Sequence, residues 1–131
     1  MNENELFSTD GRIDGTTYFS KWARIKIPYW IIQIILLAIT VLTLGIASLL
    51  TIPLMVLVWA IHVALLLPLM AKRFHDMNLS GWFSLLVFLA WALPLVYNVV
   101  FFLILVLADG TVGPNQYGED PKGRIAYYTT Q

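Results

Sequence analysis

At 131 residues the chain is long enough for one modest domain, and 59% of it is hydrophobic while only 12% is charged, with a mean hydropathy of +0.75. Soluble domains carry about 25% charged residues, so this composition points to a bilayer as the solvent. Its 8 basic and 8 acidic residues balance to a formal charge of zero, which leaves no strongly basic face for nucleic-acid phosphates, and the lack of cysteine removes disulfides, thiolate metal sites and cysteine nucleophiles.

Residues 1–26 read as a cytoplasmic and interfacial segment. After "DGRIDG", the stretch "TTYFSKWARIKI" places Phe19, Trp22, Ala23 and Lys26 on one helical face and Ser20, Lys21 and Arg24 on the other. The pattern predicts an amphipathic helix capped by Asp14 and lying in the membrane interface, where its cations meet anionic lipid headgroups.

Three uncharged apolar stretches follow, at 27–50, 52–71 and 82–108, each long enough for a crossing of about 20 residues. The first exceeds the apolar region of a signal peptide, about 7–15 residues. A short link around "ASLLTIP", with Thr51 as cap and Pro53 just inside the next helix, predicts an antiparallel hairpin. The second span is expected to continue as a helix to about residue 77. The third stretch reaches only about 40 Å as a helix, too short for two crossings, and reads as one tilted or Pro94-kinked span. Arg12, Lys21, Arg24, Lys26, Lys72 and Arg73 then lie on one side, against Lys122 and Arg124 on the other. By the positive-inside rule the N-terminus faces the cytoplasm and the tail, 109–131, faces out.

Polar residues inside the spans fall on stripes. Lys26, Gln33, Thr40 and Ala47 recur at intervals of seven, as do Ser84, Trp91 and Asn98, while His62, Leu69, Arg73 and Asp76 share one sector of the second helix. Inward-facing seams satisfy these groups, since an unpaired amide or imidazole in hydrocarbon costs several kcal/mol. Helical depth predicts contacts of His62 with Thr40 and of Asn98 with Thr43, and an ionisable group near the midplane, His62, is a functional candidate.

The stretch "KRFHDMNLSGWF", residues 72–83, concentrates the remaining chemistry. On a helical extension Lys72, Arg73, His75 and Asp76 share the polar side, Asn78 suits the left-handed residue that ends a helix, and Ser80 suits a cap for the third span. Asp76 is expected to accept a charge-assisted hydrogen bond from Arg12, Lys72 or Arg73 and so fasten the N-terminal segment. The tail "DGTVGPNQYGEDPKG" is dense in turn residues. Its Asp109, Asn115, Glu119 and Asp120 lack the spacing of a calcium loop, so no metal is expected, and Tyr117, Tyr127 and Tyr128 read as interface anchors.

These motifs carry a resemblance. "KRFHDMNLSGWF" resembles the signature of domain-of-unknown-function family 805, small bacterial inner-membrane proteins that read K/R-R-x-H-D-x-G-x-S-G-W-W. "GRIDGTTYF" is similar to the family's N-terminal Gly-Arg-x-x-x-x-x-Tyr-Trp, and "DGTVGPNQYGEDP" to its tail, with Gly110, Gly113, Asn115, Tyr117, Gly118, Asp120 and Pro121 on motif positions. Departures fall at Gly15 and Leu79, where the family is usually basic, at Phe19 for Trp, and at Asn78 for Gly. The resemblance implies a bacterial inner-membrane location and no defined activity.

The expected fold is an all-α integral membrane protein: three transmembrane helices in a small bundle, preceded by an amphipathic interfacial helix and followed by a turn-rich C-terminal tail, as a single membrane domain over 1–131. The expected function is non-enzymatic, without cofactor, through contacts with membrane lipids, other membrane proteins or further copies of the chain. An oligomeric channel or transporter using Gln33, His62 and Asn98 is the first alternative, and a headgroup enzyme using His75 and Asp76 the second. No glycine-rich phosphate loop, zinc motif or nucleophile elbow is present.

Overall fold

The structure, a computed structural model, describes residues 7–89 and 95–125. Among the described residues the named helices are, in chain order, α1 (Gly15–Leu42), α2 (Ser48–Asp76), α3 (Phe83–Leu89) and α4 (Leu95–Leu107). Among the described residues the only strand-like pairing is a bridge between Asn115 and Gly118 in the tail. The two long helices are long and apolar enough to cross a membrane, and with the absence of sheet they fit an all-helical membrane protein.

Asp14 caps α1 by accepting a hydrogen bond from the Thr17 N–H at 3.2 Å. From there the helix runs unbroken through Pro28 for 28 residues, about 42 Å. The expected interfacial helix is therefore not a separate element: the segment 15–26 continues into the first span. Pro28 leaves the Arg24 carbonyl without its helical N–H yet does not end the helix.

The hairpin closes earlier than the sequence pattern predicts. Leu44 and Gly45 take positive φ values of 51° and 85°, Gly45 N–H returns to the Thr40 carbonyl, and α2 starts at Ser48 with Ala47 as its cap. Thr51 is thus inside the first turn of α2 and does not cap it. This shift changes every cross-helix pairing. A hairpin closed at residue 51 would set Thr40 opposite His62, whereas closure at 45–46 sets Thr40 opposite Thr51 and Tyr29 opposite His62. The side chains follow the second register: Thr40 and Thr51 hydroxyls lie 2.6 Å apart, Gln33 donates to the Met55 carbonyl at 3.0 Å, and the Tyr29 and His62 rings stack with centroids 4.0 Å apart.

The third apolar stretch also departs from expectation. In place of one straight helix over 82–108, the described residues hold two helical segments, α3 and α4, and Pro94 lies outside the described residues. Both outer ends meet the C-terminal end of α2: the Phe83 ring lies 5.9 Å from that of Phe74, while Arg73 donates to the Leu105 and Ala108 carbonyls. The stretch goes out and comes back. Consequently the tail, expected on the opposite side from the N-terminus, packs against it: Arg12 donates to the Gly113 carbonyl at 2.8 Å, a separation that cannot span a hydrocarbon layer about 30 Å thick.

The buried core lies at this end as well, formed by Ile13, Tyr18, Leu66, Leu69, Met70, Phe74, Val87 and Leu105. At the other end the hairpin is bare, with Leu42, Leu44, Ile46 and Leu49 between 83% and 93% exposed.

Candidate functional site

Asp76, the last residue of α2, stands between two guanidinium groups. Arg12 reaches its Oδ1 from Nε and a terminal nitrogen at 3.2 and 3.0 Å, and Arg73, one turn back on α2, reaches its Oδ2 at 2.6 Å. The side chains of all three are at most 1% exposed. Two cations and one anion leave an excess positive charge in the cluster, and backbone carbonyls surround it. Arg12 donates to Thr111, Gly113 and Gly118, and Arg73 to Leu105 and Ala108. Such complete pairing is what permits charge in a buried place.

Chain termination builds the rest. Asn78, with φ of 58°, takes the left-handed conformation that ends α2, and Leu79 N–H bonds back to the Phe74 carbonyl at 2.9 Å. The Asp76 carbonyl, exposed by that ending, accepts both the N–H and the hydroxyl of Thr111, at 2.8 and 2.7 Å. The neighbouring His75 carbonyl accepts from Asn115 Nδ2 at 2.9 Å. The first segment joins through Ile13, whose N–H reaches the Lys72 carbonyl at 3.4 Å. Two glycines permit the closeness: a Cβ at Gly110 would enter the Asp76 carboxylate, and one at Gly15 would enter the Val106 carbonyl.

His75 does not pair with Asp76. Its ring lies flat on Tyr117, centroids 3.8 Å apart and planes 3° apart, with Nδ1 3.3 Å from the Gly11 carbonyl. Ser80 accepts weakly from the Trp82 N–H at 3.4 Å and makes no triad with either. Asp120 closes the tail by accepting from the Gly113 N–H and from Arg124 Nε at 2.8 Å. The Arg124 hydrogen bond, opposed by burial and helped by the Lys122 and Gly113 N–H groups, brings the Asp120 carboxyl down to about 2. Pro121 is exposed in the turn that follows.

The three sequence motifs, bridged across as many as 106 residues by Arg12 and the Gly118 carbonyl, are thus one site. Thr111 and Arg124 belong to it and were not among the sequence candidates. Thr111 was signalled by its place in the tail motif, whereas Arg124 follows that motif and had no signal. The intramembrane candidates are not part of it: Gln33 and Thr40 join α1 to α2, His62 stacks on Tyr29, and Asn98 lines a cleft beside Lys26. Thr43, the residue expected opposite Asn98, instead donates to the Ile39 and Thr40 carbonyls at the turn. Among the described residues no group of His, Cys, Asp and Glu could hold a metal ion.

No curated protein and no solved structure matches the chain. A family model described as "Protein of unknown function (DUF805)" matches residues 6–119, a range that takes in the N-terminal arginine, the α2 terminus and nearly all of the tail motif. With the buried hub drawing on all three of these segments, the chain belongs to the DUF805 family.

Proposed function

We propose that the protein is a non-enzymatic integral protein of a bacterial cytoplasmic membrane, acting through contacts with lipids or other membrane proteins. The observation that carries this reading is the Arg12–Asp76–Arg73 hub. Its carboxylate is engaged by both arginines and its arginines by backbone carbonyls, so the residues that invited acid/base chemistry are consumed in holding three segments together. A headgroup enzyme needs a positioned nucleophile and base, and His75, Asp76 and Ser80 form no such set.

The proposed topology has two crossings, α1 and α2, and a re-entrant pair, α3 and α4, with both termini in the cytoplasm. Support comes from charge. Arg12, Lys21, Arg24, Lys26, Lys72, Arg73, Lys122 and Arg124 are all 8 of the basic residues, and the hub gathers the segments that bear them toward one end. The turn at 43–47 carries none, which is the asymmetry the positive-inside rule describes.

To test the reading, the purified chain in nanodiscs made from a total bacterial lipid extract is incubated and its lipids followed by mass spectrometry. The expected result is no headgroup turnover, with Asp76→Asn lowering the unfolding temperature. Turnover that His75→Gln abolishes without altering the unfolding temperature would contradict it.

A further inference from the structure

Above the hub, α1 and α2 stay joined through the Tyr29–His62 stack and the Gln33–Met55 hydrogen bond. A cleft of about 610 Å³ opens between them and the α3/α4 pair, walled by Trp22, Trp59 and Phe102 and bearing Lys26 and Asn98. A second cleft of about 480 Å³ continues it toward the turn, walled by Leu37, Ile52 and Met55. The two share Tyr29, Trp30 and Trp59. From Tyr18 at the foot of the first to Leu37 in the second, α1 rises about 28 Å, close to the hydrocarbon thickness of about 30 Å.

The groove is graded in polarity. Its lower part presents an ammonium, an amide, an indole and phenols, whereas its upper part is aliphatic apart from Gln33 and the shared aromatic rings. Its wall opens sideways, for Trp30, Leu37 and Ile52 are 56%, 54% and 55% exposed. Lys26 Nζ lies 5.5 Å from the Tyr29 ring centroid and 6.0 Å from that of Trp30, at the junction of the two parts. No Asp or Glu occurs between Asp14 and Asp76, and no carboxylate is among the lining residues, so the formal charge these residues bring to the groove is positive.

We infer that the groove is a binding site for one anionic phospholipid of the leaflet nearest the hub. Its phosphate sits on Lys26, and one acyl chain lies along Trp30, Leu37, Ile52 and Met55. This rests on the lipid-contact reading above and gives it a location. An elongated apolar chamber with a cation at its polar end complements a headgroup and a chain together. A small soluble anion leaves the upper chamber unused.

The test uses brominated acyl chains, which quench tryptophan on contact. The chain has 5 tryptophans. Replacing Trp82 and Trp91 with Phe leaves Trp22, Trp30 and Trp59, all groove residues, as reporters in the full-length protein. In phosphatidylcholine nanodiscs, a minor fraction of brominated phosphatidylglycerol is expected to quench with about fivefold preference over brominated phosphatidylcholine, the scale of one lysine against an anionic lipid. Lys26→Gln should abolish the preference, while Lys26→Arg and the neighbouring Lys21→Gln should keep it. Equal quenching by both lipids, or a preference that survives Lys26→Gln, overturns the groove assignment while leaving the hub-based reading standing. A preference erased by inorganic phosphate, or lost when each disc holds two copies, overturns it in favour of a free anion or a second chain. Headgroup turnover in the earlier assay would instead sink the wider reading.

Discussion

The two ends of the α1/α2 hairpin are held by different physics. At the hub end Arg73 is 0% and Asp76 1% exposed; the Leu105 and Ala108 carbonyls accept from Arg73, and the Asp76 carboxylate accepts from Arg12 and Arg73. At the turn end Leu44 is 93% exposed, and polar links between the helices run from Thr40 to Thr51 and from Gln33 to Met55. The hub replaces water with protein groups, because buried charge demands a full set of partners. The turn end leaves its apolar surface to lipid, which is as apolar as the side chains and drives the helices together only weakly. Sequence changes should therefore be costly at one end and mild at the other.

The largest expected effect is Asp76→Asn, which strands two buried guanidinium groups and should destabilise the protein by about 3–5 kcal/mol in denaturant unfolding in micelles. A loss no larger than that of a surface change would break the contrast. Arg12→Gln should be severe for the same reason, and its double mutant with Asp76→Asn should lose less than the two single losses combined, as expected for groups in one network. Strict additivity would separate the N-terminal segment from the hub.

Next in size is Gly110→Ala. The added methyl meets the Asp76 carboxylate, and overpacking of this kind costs about 1–3 kcal/mol. Limited proteolysis should show the tail released while the hairpin stays intact.

A smaller effect follows from acid. The Asp120 carboxyl ordinarily titrates at 3.8 and is held near 2 in the folded tail. Because the folded value is the lower one, its contribution is fully present above about 3.8 and is lost as pH falls through about 2. Protease sensitivity of the tail should rise over that window in the native chain, and the rise should be absent in Asp120→Asn, whose tail is already loosened at neutral pH. Smallest of all, Thr40→Val removes one hydroxyl pair at the turn end and should cost about 0.6 kcal/mol, the usual scale of interhelical bonds in membranes. A cost rivalling that of Asp76→Asn would erase the comparison.

The helical class and the two long helices were legible because apolar runs of this length have few other readings. The Asp14 cap and the Asn78 stop were legible because both are local, set by side-chain chemistry within one turn. The position of the hairpin turn was not. "TLGIAS" and "SLLTIP" both look like turns, and choosing Thr51 over Leu44–Gly45 displaced the pairings of Thr40 and His62. The return of 82–108 on itself escaped for a different reason. Its cause lies outside the stretch, in Arg73, which draws the Leu105 and Ala108 carbonyls to the end of α2, and the length of an apolar run does not record where its ends are tied. Gly110 and Gly15 could be read only as turn or variant residues, since what they make room for is far away in sequence.

The central claim is that the N-terminal segment, the α2 terminus and the tail share one side of the membrane. The chain has no cysteine, so single substitutions report position cleanly, and Asn78 and Gln116 offer a matched pair whose side chains hydrogen-bond at 3.2 Å. With an impermeant maleimide on intact spheroplasts, Asn78→Cys and Gln116→Cys should both be spared and both react once the membrane is opened, while Ile46→Cys, in the exposed turn, reacts from outside. Labelling of Gln116→Cys in intact spheroplasts with Asn78→Cys protected would place the tail across the bilayer from the hub and contradict the account.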